Sequence, residues 1–212
     1  MAASDDQGEY FTVPSRGKIY RSVSLALPNR IQVADSSPIP TMIYNFPTVT
    51  AGQDLDSDII STLAEHPNIV GTKLSCGNIG KLQRITSCVE PSEFAVFAGR
   101  SDTFLFGLLA DSAGTIAALV NLLPKLHGHL YKLHQAGEVE KAMRLQGLLG
   151  HADWAASKVG GIGGIKAVIS KHFGYGQPYV RGPLKFVNVD ALGDNEYYGK
   201  LKDLIKMEQA MG

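Results

Sequence analysis

The sequence predicts an α/β fold with a parallel sheet, followed by a helical extension. Three observations carry this. From Val33 to Gln135, strand-length apolar runs alternate four times with helix-length amphipathic segments. The connections between them are short, as right-handed βα crossovers require. From residue 137 onward the period is helical and no further strand-like run appears.

Residues 1–32 read as an irregular or disordered N-terminal segment with no clean period. Residues 33–136 form the βα part and residues 137–212 the helical extension. Ala34-Asp35-Ser36-Ser37-Pro38-Ile39-Pro40 closes a helix and leads into a first strand, Thr41–Phe46. A helix over Asp54–Glu65 follows, with Asp54 as its cap. Next come a strand over Ile69–Ser75, a helix over Asn78–Val89, a strand over Phe94–Gly99 and a helix over Asp102–Leu109. The last unit is a strand over Gly114–Leu119 and a helix over Pro124–Gln135, opened by proline and closed by Gly137. A long amphipathic helix over Glu138–Val159 places Val139, Met143, Leu148, Ala152 and Ala155 on or near one stripe. A glycine-rich break at Gly160–Gly164 precedes a helix over Ile165–Phe173. Gly174–Pro178 is a turn, and a last helix runs from Asn195 to Met207.

Composition narrows the function class. Twenty basic and twenty acidic residues give a formal net charge of zero, so no nucleic-acid or anionic-membrane partner is indicated. Two cysteines, Cys76 and Cys88, make no disulfide framework and suit a reducing compartment. The first residues lack a basic-then-apolar secretory layout, so the expected location is the cytoplasm, with the mitochondrion as the alternative. The apolar run Phe104–Leu123 is broken by Asp111 and Ser112, which favours a helix followed by a buried strand over a membrane span.

The chemistry-bearing stretch is Val70-Gly71-Thr72-Lys73-Leu74-Ser75, a lysine inside an apolar strand. Alternation puts Gly71, Lys73 and Ser75 on one face, small and polar, with room beside the lysine. An ammonium in such a place is paired, snorkels to water, or has a lowered pKa and serves as an amine nucleophile. Tyr44, near the end of the neighbouring strand, is either a core tyrosine with its hydroxyl satisfied or a proton relay for Lys73.

Tyr44-Asn45-Phe46-Pro47, followed one βα unit later by Gly71-Thr72-Lys73-Leu74-Ser75, resembles the dihydrodipicolinate synthase / N-acetylneuraminate lyase family of class I pyruvate-type aldolases. The resemblance runs from about Val33 to Leu184. It is nearest to the branch that cleaves 4-hydroxy-2-oxoglutarate and 2-keto-3-deoxy sugar acids. It implies the C-terminal half of a TIM (β/α)8 barrel, because the four βα units correspond to the fifth to eighth of the family. It implies Lys73 as the Schiff-base lysine and Tyr44 as the proton relay. It also implies a keto-acid pocket at the strand ends involving Ser75, Gly99, Ser101 and Ile116, with Gly99 and Ile116 contributing backbone groups. No cofactor and no metal are implied, since the lysine imine is itself the electron sink. The partners implied are a small-molecule keto acid and, in the full-length family, further copies of the chain. One departure matters. Where the dihydrodipicolinate synthases place an arginine for the second substrate's carboxylate, this chain has Val49, which makes no charge-assisted contact. That favours the aldol-cleaving branches over lysine biosynthesis.

Other motifs read as structural. Gly160–Gly164 does not follow a strand, so the dinucleotide-binding context is missing. His127, His129 and His134 share a helix without acidic partners at ligand spacing. A whole barrel needs about 250 residues. The family's first four strands, and its Gly-Thr-Thr/Ser-Gly-Glu type carboxylate-binding loop, have no counterpart in this sequence. The segment Val13–Gln32 separates two stretches that resemble halves of one family helix, and is expected to be a translated intron. Two functions are therefore expected from the sequence: an aldolase-type lyase yielding pyruvate and an aldehyde, or an inactive truncated paralogue that associates with full-length subunits.

Overall fold

A computed structural model describes residues 10–13, 18–21 and 26–211. Strands β1 (Tyr10–Val13) and β2 (Lys18–Arg21) pair antiparallel. The rest of Val13–Gln32 lies partly outside the described residues, but residues 26–32 already belong to helix α1 (Ala26–Ser36). The four predicted strands are all present: β3 (Thr41–Asn45), β4 (Ile69–Leu74), β5 (Ala95–Ala98) and β6 (Gly114–Thr115), in the order β3-β4-β5-β6. Each is followed by a helix, giving four successive βα units of a partial (β/α) barrel and then a helical extension.

The chain divides into two compact units, Met1–Phe97 with Ala110–Ala113, and Ala98–Leu109 with Gly114–Gly212. In the first, α2 (Ser57–Ala64) and α3 (Ile79–Thr86) cover β3 and β4 with Ile59, Ile60, Leu63, Leu82 and Ile85. The cap of α2 is Asp56, not Asp54: its carboxylate accepts the Ile59 N–H at 2.8 Å. Asp54 is instead drawn to the buried Lys81 and to Asn45, an attraction that local capping rules do not contain. Helix α3 is capped by Asn78, whose side chain accepts the Lys81 N–H at 2.9 Å, and ends at Thr86, three residues early. Asn68 ties α1 to the start of β4, donating to the carbonyls of Ala34 and Ser37. Beside it the buried His66 accepts the Asn68 N–H on Nδ1, so Nε2 carries the proton shared with Asp35.

In the second unit, α4 (Phe104–Leu109), α5 (Pro124–Gln135), α6 (Val139–Lys158), α7 (Gly161–Phe173) and α8 (Glu196–Ala210) enclose one apolar core. Leu119, Leu122, Leu123, Leu130, Leu149, Val168 and Leu201 lie at its centre. Each buried side chain of this size stabilises the fold by roughly 1.5–3 kcal/mol. The N-terminus of α5 is closed from the far end of the sequence: buried Glu208 on α8 accepts the N–H groups of Lys125 (2.7 Å) and Leu126 (2.9 Å).

Three expectations are corrected here. Strand β6 has two residues rather than six, and the chain then turns into a 3₁₀ helix over Ala118–Asn121. Gly161–Gly164 do not break the chain but open α7. A side chain on Gly163 would meet the Lys185 carbonyl at 2.3 Å, and one on Gly164 the Val159 carbonyl at 2.2 Å, so these glycines permit close packing. On α6 the buried residues are Ala142, Leu145, Gln146, Leu149, Ala152, Ala155 and Ala156, so Ala152 and Ala155 lie in the core as expected while Val139, Met143 and Leu148 are exposed. The helix is wedged between neighbours by its small residues, which a stripe built on the large ones misses. Among the described residues, no helix is long and apolar enough to cross a membrane.

Candidate active site

In the first unit, parallel pairing sets Tyr44 on β3 opposite Lys73 on β4. The Lys73 ammonium lies 4.3 Å from the centroid of the Tyr44 ring, a cation–π contact. Tyr44 also leans on Phe46, with centroids 5.5 Å apart. Neither residue is in the core: Lys73 is partly buried and Tyr44 is 46% exposed. The strand's buried side is supplied by Thr72 and Leu74, as alternation requires. Ser75 follows at the strand end, its N–H donating to the Asn45 carbonyl at 2.9 Å.

Room beside the lysine was expected at Gly71, and there is none. A Cβ on Gly71 would stand 2.5 Å from the Ala95 carbonyl oxygen and 3.2 Å from the Met42 methyl. The glycine is there because β5 passes close by, and the Lys73 side chain turns to the Tyr44 ring.

The loop after β3 is fixed by a polar chain in which Asn45 and Lys81 are buried and Asp54 is exposed. Asn45 receives the Leu55 N–H on its side-chain oxygen (3.1 Å) and donates to Asp54 (2.7 Å), which pairs with Lys81. Burial pushes the Asp54 carboxyl up, but the hydrogen bonds from Lys81 and Asn45 and the lysine's charge outweigh it and hold the group below its ordinary value. Val49 is exposed on a 3₁₀ turn over Pro47–Val49. A cavity of about 310 Å³ is lined by Arg30, Val33, Thr41, Met42, Ile43, Gln53 and Ile69. Among the described residues, the Nε of Arg30 is buried without a partner.

The second unit holds Gly99, Ser101 and Ile116. Ile116 lies just past β6, is exposed, and donates its N–H to the Ala98 carbonyl at 2.9 Å. Ser101 begins a 3₁₀ turn over Ser101–Thr103 and is completely buried. Its hydroxyl is engaged by His127 of α5: Nδ1 of that ring lies 2.6 Å from the Leu123 carbonyl and must carry the proton, so Nε2 accepts from the Ser101 hydroxyl at 2.9 Å. Burial holds His127 below its ordinary pKa, against the Leu123 carbonyl and the charge of Glu208. Buried Gln146 of α6 donates to the carbonyls of Ser101 and Asp102, both at 3.0 Å, and accepts the Leu105 N–H at 2.8 Å. Arg100 grips Asp102 through two bonds, 3.0 and 2.5 Å, and reaches Asp153 of α6 at 3.4 Å. Burial and the charge of Asp102 raise the Asp153 carboxyl above its ordinary value, against Arg100 and the Ser101 N–H.

Sequence reasoning missed Arg100, Asp102, Gln146 and Asp153. Gln146 carried a signal, a polar residue among apolar helix positions. The Arg100–Asp102 pair at a strand end carried another. Among the described residues no group of His, Cys, Asp or Glu could hold a metal ion.

The sequence pattern of the Dihydrodipicolinate synthetase family matches residues 31–206. The chain belongs to that family. It is 45% identical over 172 residues to the "Probable 4-hydroxy-2-oxoglutarate aldolase, mitochondrial" of Emericella nidulans, a match covering 80% of this chain and 55% of that protein. It is 40% identical over 162 residues to the L-threo-3-deoxy-hexylosonate aldolase of Hypocrea jecorina, covering 73% and 51%. Among solved structures it superposes with a TM-score of 0.71 and 28% identity on YagE, a prophage protein of the dihydrodipicolinic acid synthase family from E. coli K12 in complex with pyruvate. That match covers 90% of this chain and 63% of YagE. The chain thus spans about half the length of the curated relatives it matches.

Proposed function

We propose that this chain carries the imine-forming part of a pyruvate-type class I aldolase, cleaving a 2-keto acid of the 4-hydroxy-2-oxoglutarate or 2-keto-3-deoxy sugar acid type to pyruvate and an aldehyde. The observation that carries the reading is the register pairing of Lys73 with Tyr44, ammonium against ring, at the C-terminal ends of two parallel strands. It is supported by the names of two relatives at 40% identity or more.

In this proposal the neutral amine of Lys73 attacks the substrate's keto carbon, and the carbinolamine loses water to give an imine. The imine nitrogen takes up the electron pair as the carbon–carbon bond breaks, and hydrolysis returns pyruvate and the lysine. The Tyr44 hydroxyl moves the protons of these steps. Ser75, next to the strand that carries Lys73, supplies a hydrogen-bonding group to the keto acid. No metal or organic cofactor takes part. The working location is a reducing compartment, cytosol or mitochondrial matrix, and the family's homo-oligomeric assembly extends to this chain.

A second reading rests on the buried Nε of Arg30, which lines the cavity beside β3 and has no partner among the described residues. In it the chain is inactive alone and serves as an association partner of full-length subunits. A coupled assay for pyruvate release from both substrate types separates the two. Release that disappears in Lys73→Arg supports the first, because a guanidinium stays protonated and cannot attack a carbonyl. No release from the chain alone, with stable association of the chain with a full-length subunit, supports the second.

A further inference from the structure

Helices α5, α6 and α8 leave an open cavity of about 400 Å³ between them. Its floor belongs to the core: Leu126 and Leu133 of α5 and Leu145 of α6 are buried. Its walls are Leu148 of α6 with Met207 and Met211 from the end of α8. Leu148 and Met207 are 42% and 44% exposed, although both are large and apolar. The ionisable groups that line the cavity are all basic: His129 of α5, and Lys141 and Arg144 of α6. On α6 the four lining residues follow the i, i+3, i+4, i+7 pattern of one helix side, which sets cations and leucines next to one another. Helix α5 carries no acidic residue along its length. Glu208, next to Met207 on α8, is buried and engaged by the Lys125 and Leu126 N–H groups. Glu138 pairs with Lys141. Arg144 meets Glu140 only at 4.0 Å and its side chain is 71% exposed, so the guanidinium keeps donors for a ligand.

We propose that this cavity binds a medium-chain fatty acid as its free carboxylate, with the chain on the leucine floor and the head group held by Arg144 at the rim. An apolar cavity with a few polar groups at its mouth has the make-up of a small-molecule site. The chemistry of the lining selects the class. A wholly apolar ligand leaves the rim cations unmatched, and a small polar anion leaves the leucines and methionines in water. A single chain with an anionic head answers both. The planar guanidinium meets a carboxylate through two parallel hydrogen bonds, which favours this head group. Size sets the length. A methylene group fills about the volume of a water molecule, ~30 Å³, so a cavity of about 400 Å³ takes a chain of about ten carbons with space left at the mouth. The two methionine walls are unbranched and polarisable, and they close on chains of slightly different length. Every lining residue belongs to the second unit, so the site stands apart from the imine chemistry proposed for Lys73.

Titration of the full chain with decanoate, kept well below its micelle concentration and followed through the methionine methyl resonances, tests this. The expected result is saturable binding that moves the Met207 and Met211 methyls and leaves that of Met42, in the first unit, in place. Each methylene removed from the acid should weaken binding by about two- to fourfold. Decylammonium, with the same chain and the opposite charge, should bind about tenfold more weakly than decanoate. Arg144→Gln should weaken decanoate by about fivefold and narrow that gap. Leu148→Glu should abolish binding, because it sets a like charge on an apolar wall. Both positions are exposed, so neither substitution should lower the melting temperature. Unmoved Met207 and Met211 methyls, equal movement of every methionine methyl, decylammonium binding as tightly as decanoate, or an Arg144→Gln variant that binds like the parent would each overturn the proposal. So would phosphatidylglycerol vesicles that capture the chain while monomeric decanoate leaves these methyls in place, since that result assigns the surface to a membrane.

Discussion

Replacing Gln146 by leucine isolates the device that holds the segment after β5. The two side chains are close in size, so packing is nearly conserved and hydrogen bonding is removed. Three bonds are lost: the Leu105 N–H to the side-chain oxygen, and the amide nitrogen to the carbonyls of Ser101 and Asp102. The losses are unequal. The Ser101 carbonyl keeps a partner, because it also accepts the Phe104 N–H. The Leu105 N–H lies in the first turn of α4, where helices leave donors unpaired, and Leu105 is wholly buried. Leaving such a donor unsatisfied costs about 1–3 kcal/mol, and each lost bond adds about 0.5–1.5 kcal/mol, offset in part by the apolar side chain now buried. The expected loss is about 2–4 kcal/mol, a large part of the stability of a domain. Urea unfolding followed by circular dichroism measures it, as a lower midpoint with an unchanged slope. Gln146→Glu sharpens the test. A carboxylate still accepts from Leu105 but faces two carbonyl oxygens, so this variant should be worse than leucine at neutral pH and recover as the pH falls. A Gln146→Leu variant within ~0.5 kcal/mol of the parent would show that the network is not what holds this segment.

Other outcomes follow from the same geometry. Gly71→Ala forces β4 away from the Ala95 carbonyl and should cost about 1–3 kcal/mol in urea unfolding; a neutral result would mean that β5 does not pass where it is placed. Burial depresses the pKa of His127, so the unfolded chain takes up a proton near its ordinary value of about 6.5 that the folded chain refuses. Stability should therefore fall as pH drops below about 6.5 and level off below the folded value. His127→Gln should flatten part of that slope; His172, also lowered by burial, keeps the rest, and an unchanged slope would refute the assignment. Turnover by the proposed imine route should survive EDTA, and loss of activity restored by a single divalent metal would place the enzyme in another class.

The strands and most helices were legible because each unit carries its own period and stop signals. Pro124 and Gly137 bracket α5 as proline and glycine should. What was not legible depends on distant partners. Asp54 and Asp56 are equal candidates for the α2 cap until Lys81, more than twenty residues on, claims the first. Glu208 closes the start of α5 across the length of the helical extension, with nothing local to announce it. In the site, the pairing of Tyr44 with Lys73 was readable, since strand alternation and order bring them together. The surroundings of Ser101 were not, because His127 and Gln146 come from helices whose rotation depends on which small residues of α6 are buried. The same rotation decided that Val139 and Met143 face solvent.

The central claim, that Lys73 is the imine-forming residue, is tested most directly by treating the protein with pyruvate and borohydride and locating the reduced adduct by mass spectrometry. Two forms are needed: this chain, and a fusion that adds the part of the Emericella nidulans relative outside the matched region. The account predicts a single adduct on Lys73 in the fusion, absent in Lys73→Arg. Tyr44→Phe should retain the adduct and lower turnover by about 10²–10⁴-fold. In the chain by itself little trapping is expected, because the carboxylate-binding loop that the sequence resemblance implies has no counterpart in it. An adduct on Lys125 or Lys166 in place of Lys73 would contradict the mechanism, and efficient trapping on Lys73 in the chain alone would contradict the claim that the added part orients the substrate.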